Sequence, residues 1–398
     1  MAQVAYIFNQ LCSLLPRDHF EYLVKKYEGN SYMKTYSCWN HFLVMLWAQL
    51  TGRESLRDIE SSLRAHKDKL YRLGMGKNIS RNNLSHANAT REVSIYRDFA
   101  QKVMNITLSQ VGTEEKELFT LSDGFNLSGL FAVDSSSVYL DLTKFNWSVP
   151  QRGRGGIKLH TLYDILREVP VLCLITGHEE RDQTFMENYP YRKGGMYVFD
   201  KAYIKTASMK EIDSISAYFV VRRKRGMSYS VIKELTAAVA PIYGDKEISF
   251  SNRWARKGYP GNLRLVQYYS MERNEVLDFL TNNFQLPAMT IAESYRNRWN
   301  IELFFRWIKQ HLYVTRFYGT SANAVSIQIY VAVSAYCLVA LAKALYGFKG
   351  TTYELLRVLS VSLFERQPLK DVLDRYGDSV KEEANQSYLW PSLFDDVN

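Results

Sequence analysis

The sequence predicts an α/β protein in three stretches: helices over the first ~115 residues, a strand-rich middle from about residue 128, and helices again from 289. Three observations carry this. Apolar residues recur at helical spacing through the first stretch, as in WNHFLVMLWAQL (39–50). Short β-branched and aromatic runs bounded by turn residues follow, at strand length. The helical period then returns and holds toward the C-terminus.

In the first stretch, SLRDIESSLRAHKDKLYRLG (55–74) opens on Ser55 with Asp58 three residues on, the pattern of a capping box, and closes on a glycine, predicting one helix. RNNLSHANATREVSIYRDFAQKV reads as another helical run, capped by Ser80. Its start holds Arg81, Asn82, Asn83 and His86, side chains that suit phosphates and base edges, or equally a solvated helix face. The middle stretch offers GLFAVDSSSVYLDL, IKLHTLYDI, VPVLCLITG, MYVFD and AYFVVRRK as strands, with room for a short helix in HEERDQTFMENYPYRKGG. Three further strand-like pieces, EISFS, LRLVQYYS and VLDFLTNNF, fall between about 225 and 285. No internal repeat or low-complexity segment interrupts the chain.

With 398 residues, the chain has room for two or three domains at about 100–200 residues each. A hydrophobic content of 46% and a charged content of 23% exclude a disordered chain. The net charge of +9 favours a polyanionic partner such as nucleic acid, or an anionic membrane surface. Cys12, Cys38, Cys173 and Cys337 stand alone, against a zinc site or disulfide framework and in keeping with a reducing cytosol. The N-terminus lacks a basic region and a small-residue cleavage site, so no secretory signal is expected. Ile329–Ala342 is uncharged but shorter than the roughly 20 residues of a membrane span, and reads as a buried core helix closed by Lys343 and Gly347.

Acids are common, so position carries the information. Asp134 follows the apolar run GLFAV and Asp200 ends MYVFD, placing both at or near strand ends; either alone is as readily a turn former or helix cap. Glu302 lies within YRNRWNIELFFRWIKQHL (295–312). On a single helix, Tyr295, Arg298, Glu302 and Lys309 fall within an arc of about 60°, while apolar residues fill most of the remaining circumference. A carboxylate on such a buried helix needs a cationic partner, either an arginine or lysine or a metal. An internal salt bridge to Arg298 or Arg306 explains the acid. A phosphate-bearing substrate explains the acid and the surrounding cations together.

The spacing Tyr-x2-Arg-x3-Glu-x6-Lys, filled by Tyr295, Arg298, Glu302 and Lys309, resembles the signature of the bacterial insertion-sequence transposases of the IS-four group, which are DDE-type enzymes. AVDSSSV and FDKAY match the segments carrying that family's first two acids, here Asp134 and Asp200, with Ala202 where the family has Gly or Ala. GGIKLHTLYD between them and CWNHFLVMLWAQLTGRESLRDI near the N-terminus are also similar, so the resemblance covers nearly the whole chain; the last ~45 residues add least.

The resemblance implies a ribonuclease-H-like catalytic core, a mixed sheet flanked by helices. It implies a helical N-terminal DNA-binding region over 1–115, the first part of the core over 128–224, and a β-rich insertion over 225–285. Core helices including the Glu302 helix would occupy 286–350, and a helical C-terminal region 351–398. It implies Asp134, Asp200 and Glu302 as catalytic residues holding two Mg²⁺ ions, with Mn²⁺ as a substitute. Tyr295, Arg298 and Lys309 would grip phosphates, with Arg152, Arg154, Lys158 and His160 as a second grip and Arg222, in RRKR, as a third. Trp254 is the candidate platform for an unstacked base. The expected partner is double-stranded DNA, both element ends and target, bound by a homodimer in the bacterial cytoplasm at the nucleoid. The expected reaction is cut-and-paste transposition. A ribonuclease-H-like nuclease without strand transfer, or a catalytically silent DNA-binding derivative, are the alternatives, and the presence of all three acids weighs against the latter.

Overall fold

The apolar runs of the middle stretch do form strands, and all of them join one sheet. The computed structural model describes residues 4–31, 35–77, 79–112, 127–149, 155–311 and 316–377. They divide between two compact units, within Met1–Gly112 and Trp307–Asn398 for one, and Thr113–Arg306 for the other.

The second unit holds β1 (Gly129–Leu140), β2 (Gly155–Asp164), β3 (Val169–Gly177), β4 (Gly195–Phe199), β5 (Tyr218–Arg222), β6 (Tyr229–Glu234), β7 (Ile242–Phe250), β8 (Leu263–Ser270) and β9 (Glu275–Thr281). Their order across the sheet is β3-β2-β1-β4-β5-β9-β8-β7-β6. The hairpin neighbours β1–β2 and β2–β3 are antiparallel, whereas β1–β4 and β4–β5 are parallel. This is a ribonuclease-H-like arrangement: three meandering strands, then two that return by crossovers. The strands between 225 and 285 extend the same sheet, with β9 pairing antiparallel to β5. β6 had no strand expectation; its residues are mostly exposed, so it lacks the buried apolar alternation that marks a strand in sequence.

β4, parallel to a neighbour on each side, is buried along its whole length, as Met196, Tyr197, Val198 and Phe199 show. Between β7 and β8 a buried ion pair joins the apolar packing: Arg264 holds Asp245 through two nitrogens at 2.7 and 2.8 Å, and its third reaches the carbonyl of Leu286.

The first unit is helical. Its elements are α1 (Ile7–Cys12), α2 (Arg17–Lys26), α3 (Cys38–Leu50), α4 (Leu56–Arg64), α5 (Arg81–Thr90) and α6 (Val93–Gln110), and later α11 (Ala322–Leu345) and α12 (Thr352–Ser362). Ser80 caps α5 by accepting from Asn83 N, and Ser55 caps α4 by accepting from Asp58 N. The helix expected over 55–74 stops at Arg64, and turns continue to Gly74, whose φ of 74° suits glycine. α11 is long and apolar enough to cross a membrane, yet 94% of its apolar window is buried inside the protein, so it is a core helix. Phe20, Trp39, Phe42 and Phe99 pack edge-on and stacked at 4.9–6.3 Å beside it in the same unit.

Between the two stretches of helix in sequence lie α7 (Thr206–Ser214), α8 (Arg253–Gly258), α9 (Ala288–Arg296) and α10 (Trp299–His311). The segment 295–312 is therefore not one helix. Asn297 and Arg298 form a tight turn between α9 and α10, with Arg298 N bonding back to Tyr295 O at 3.1 Å. The single arc computed for Tyr295 to Lys309 is broken at that turn.

Candidate active site

Two of the expected acids are brought together by strand register. β1 and β4 are parallel neighbours, with Val133 opposite Phe199. Asp134 and Asp200 follow these residues directly, so the two-residue pleat points both carboxylates to the same face of the sheet. Asp200, directly after β4, also accepts Tyr203 N at its backbone oxygen, opening a short 3-10 turn over Lys201–Tyr203.

α10 supplies the third acid. Phe304 packs on Tyr163 of β2, with centroids 5.3 Å apart, and Tyr163 lies on the same face as Asp134. The α9–α10 turn brings Arg298 to the carboxylates. Its Nη1 donates to Asp134 Oδ2 at 2.8 Å and its Nη2 to Glu302 Oε1 at 2.7 Å. The Tyr295 hydroxyl donates to Asp200 Oδ1 at 3.3 Å. Arg298 thus links Asp134 to Glu302, while Tyr295 contacts Asp200.

Burial pushes the Asp134 carboxyl up to about 6, against the lowering effects of Arg298 and the Ser135 N–H; Glu302 and Asp200 add to the rise. The Tyr295 phenol is raised to about 12, chiefly by burial. For Arg298, burial opposes the charge, but Asp134, Tyr295 and Glu302 outweigh it and hold the guanidinium above its ordinary value.

The donor set, three carboxylates, is that of a hard divalent cation. Asp134 fits such a role, since its raised pKa records burial and neighbouring negative charge that a cation would relieve. Among the described residues no three His, Cys, Asp or Glu side chains are gathered tightly enough to cage a metal as they stand. Arg298 is the counter-charge between Asp134 and Glu302.

The remaining expected residues are distributed as follows. Lys309 is half-buried on α10, and burial lowers its pKa. Arg152 and Arg154 lie outside the described residues. Lys158 and His160 do not join a phosphate-gripping surface. They pair with Ser137 and Ser135 across β1–β2, which puts them on the face opposite Asp134. There, Lys158 is only 12% exposed and donates to Asp182 Oδ1 and Glu180 O. His160 is fully buried against the Phe185 ring at 3.8 Å, and burial, more than the nearby charges, lowers its pKa to about 4. Register between two strands is invisible in a one-dimensional pattern, so the face these residues take could not be read from sequence. Arg222 is held by Glu275 at 2.9 Å. Trp254, on the short α8, is 78% exposed, with exposed Arg253, Arg256 and Lys257 around it. Arg81, Asn82, Asn83 and His86 are exposed on α5.

Sequence reasoning missed Asp182 and Ser135, which meet at 2.8 Å behind Asp134. Asp182 follows the end of β3 in an acid-rich run, HEERD, where no single acid stands out. It also missed a cleft of about 680 Å³ beside Tyr295 and Arg298, lined among others by Tyr268, Met271, Arg273 and Trp299.

Residues 126–338, over half of the chain, match the family described as the transposase DDE domain, and residues 4–76 match a domain of unknown function (DUF4372). A protein named as transposase y4zB in Sinorhizobium fredii is 29% identical over 292 residues, 72% of this chain and 78% of that one. A protein named as the transposase for insertion sequence element IS4SA in Synechocystis is 24% identical over 357 residues, 87% of this chain and 95% of its own length. A solved structure, the cryo-EM piggyBac transposase synaptic complex with hairpin DNA, aligns with 90% of this chain and 77% of its own at a TM-score of 0.43 and 9% identity.

Proposed function

The chain belongs to the DDE-domain transposase family, and we propose that it cuts DNA at the ends of its own insertion sequence and joins the freed 3′-OH ends to target DNA by divalent-metal-dependent phosphoryl transfer. The observation that carries this reading is the convergence of Asp134 and Asp200 on one sheet face with Glu302, tied to Asp134 through Arg298. The +9 charge and the basic Arg296–Arg298 cleft edge suit a DNA partner.

In this reading Asp134, Asp200 and Glu302 hold Mg²⁺ or Mn²⁺. The bound cation supplies Lewis acidity at the phosphate and an acidified attacking oxygen. Tyr295 orients Asp200, and Arg298 orients Asp134 and Glu302 until a phosphate competes for its guanidinium. In the first step the oxygen of water bonds to phosphorus and the 3′ oxygen leaves, taking a proton. In the second, that 3′-OH attacks a target phosphate and releases a new 3′-OH there. Lys309 contributes a further phosphate contact, and exposed Trp254 a surface for an unpaired base. Two ends must be joined in one event, so the working form is a homodimer on DNA, in the bacterial cytoplasm.

The test uses the full chain with duplexes bearing the element's terminal repeats. Cleavage should require Mg²⁺ or Mn²⁺, and Glu302→Gln should lower it by at least about 100-fold, on the scale of losing a preorganised electrostatic group, while end binding persists. Wild-type cleavage by Glu302→Gln overturns the assignment. Failure to join pre-cut 3′-OH ends in an otherwise cleaving enzyme replaces transposition with simple hydrolysis.

A further inference from the structure

We infer that Asp182 and Gln183 form a clamp on the back of the sheet that positions Asp134 and Asp200 for the reaction, with Ser135 as the link to Asp134. This rests on the reading of those two acids as catalytic.

Asp182 opens the 3-10 segment Asp182–Asn188 that follows β3. Its Oδ1 accepts from Ser135 Oγ at 2.8 Å and from Lys158 Nζ at 3.2 Å. Ser135 also donates its backbone N–H to Asp134 Oδ1 at 2.8 Å. One residue therefore touches the candidate carboxylate on the front face and is fastened by its side chain on the back. Restraining Ser135 restrains the backbone that carries Asp134 and the donor that orients its carboxylate.

The neighbouring residue makes the matching tie. Gln183 Nε2 donates to Ala202 O at 2.9 Å and to Ile204 O at 3.2 Å, in the turn that begins at Asp200. Glu187, further along the same segment, pairs with Lys205 just beyond that turn. A single short segment is thus fastened behind Asp134 and just after Asp200. The parallel register of β1 and β4 brings the two acids side by side, but each is followed by its own connection that must be held. Two adjacent side chains hold both.

Lys158 explains why a fourth carboxylate is tolerated here. Asp182 places a negative charge on the back of the sheet, bonded to Ser135. The Lys158 ammonium, held between Asp182 and Glu180 O, offsets that charge. His160, stacked on Phe185 and bonded to Thr176 Oγ1 at 2.9 Å, fills the floor beneath the pair. Asp182 and Lys158 thus act through Ser135, as positioning residues and not as groups that meet DNA.

The experiment compares Ser135→Ala, Asp182→Ala and their double variant with wild type and Glu302→Gln, all as full chains. End cleavage at saturating DNA and metal is measured, along with the end-binding Kd, the melting temperature, and the affinity for Mn²⁺ alone by paramagnetic resonance of the free ion. Each single variant should lose about 10–100-fold in cleavage, the range for groups that orient metal-holding side chains, with end binding within about twofold. Mn²⁺ affinity should fall too, and the double variant should be no worse than the poorer single, because both sever one link. A merely structural tie would lower the melting temperature and leave Mn²⁺ affinity unchanged, and that result overturns the clamp. So does near-wild-type cleavage in both singles while Glu302→Gln is inactive, or losses that multiply in the double. Should Asp182→Ala fail to fold, Ser135→Ala, which removes one oxygen, decides alone. If instead Glu302→Gln still cuts, the catalytic reading itself falls, whatever the clamp variants do.

Discussion

Arg298 donates to Asp134 across 164 residues of chain at 2.8 Å and so ties the α9–α10 turn to the end of the apolar run of β1. Its second nitrogen holds Glu302. Without the guanidinium, the two carboxylates lose the cation that bridges them. Removing one partner of a fully buried ion pair destabilises by roughly 3–5 kcal/mol; Glu302 keeps a third of its side-chain exposure, so about 2 kcal/mol is expected here. Arg298→Met should therefore melt earlier in chelator, and Mn²⁺ should recover part of the loss by supplying the missing charge. Equal melting of variant and wild type in chelator would show that the bridge contributes nothing.

The Asp134 carboxyl, raised to about 6 chiefly by burial, gives the site a pH signature. A cation binds the ionised form, so Mn²⁺ affinity should fall as pH drops below about 6. The stability linkage has the opposite sense. The folded state binds this proton more tightly than the unfolded chain, whose carboxyl sits near its ordinary 3.8. The contribution is fully present below that value and is lost as pH rises through about 6. Relative to Asp134→Asn, the metal-free wild type should lose stability between pH 4 and 7. Parallel stability curves for the two proteins across that range would contradict the assignment.

Away from the site, Asp245 is fully buried and Arg264 nearly so, in a two-point contact that Thr236 Oγ1 completes at 2.8 Å. Arg264→Met should destabilise by about 3–5 kcal/mol, because it strands a buried carboxylate and frees the carbonyls of Asn283 and Leu286. Asp245→Leu combined with Arg264→Met should lose less than the single arginine variant. Chemical denaturation of the three proteins gives the comparison, and a double variant worse than the single would reverse it.

How far the sequence reached depends on what each residue needed to be recognised. Asp134 and Asp200 stand beside apolar runs that form strands, and only their common face required the parallel register. Glu302 stood out as a lone acid on an apolar helix, which local periodicity shows. The turn at Asn297–Arg298 was hidden because Arg, Asn and Trp are compatible with a continuous helix, and no Gly or Pro marks the break. Lys158 and His160 looked like a basic grip, yet pleat parity sends them to the back face, where Asp182 and Phe185 receive them. Asp182 itself was lost among neighbouring acids, since its partners are 24 and 47 residues away.

Trp254 offers the sharpest separation of binding from folding. Its side chain is 78% exposed on a six-residue helix whose cap comes from Asn252, which accepts from Trp254 N through its own side chain. The indole therefore contributes little to the core, and Trp254→Ala should leave stability within about 0.5 kcal/mol. Burying so large an aromatic surface against a base is worth about 1–3 kcal/mol. The variant should accordingly bind DNA ends carrying an unpaired base about 5–150-fold more weakly, while fully paired ends, which offer no free base face, change by less than twofold. Quenching of Trp254 fluorescence by the unpaired base provides the direct readout, using the variant as the blank. Equal weakening toward paired and unpaired ends would make Trp254 a general backbone contact among the arginines and lysine of α8, and no quenching at all would remove it from the DNA interface.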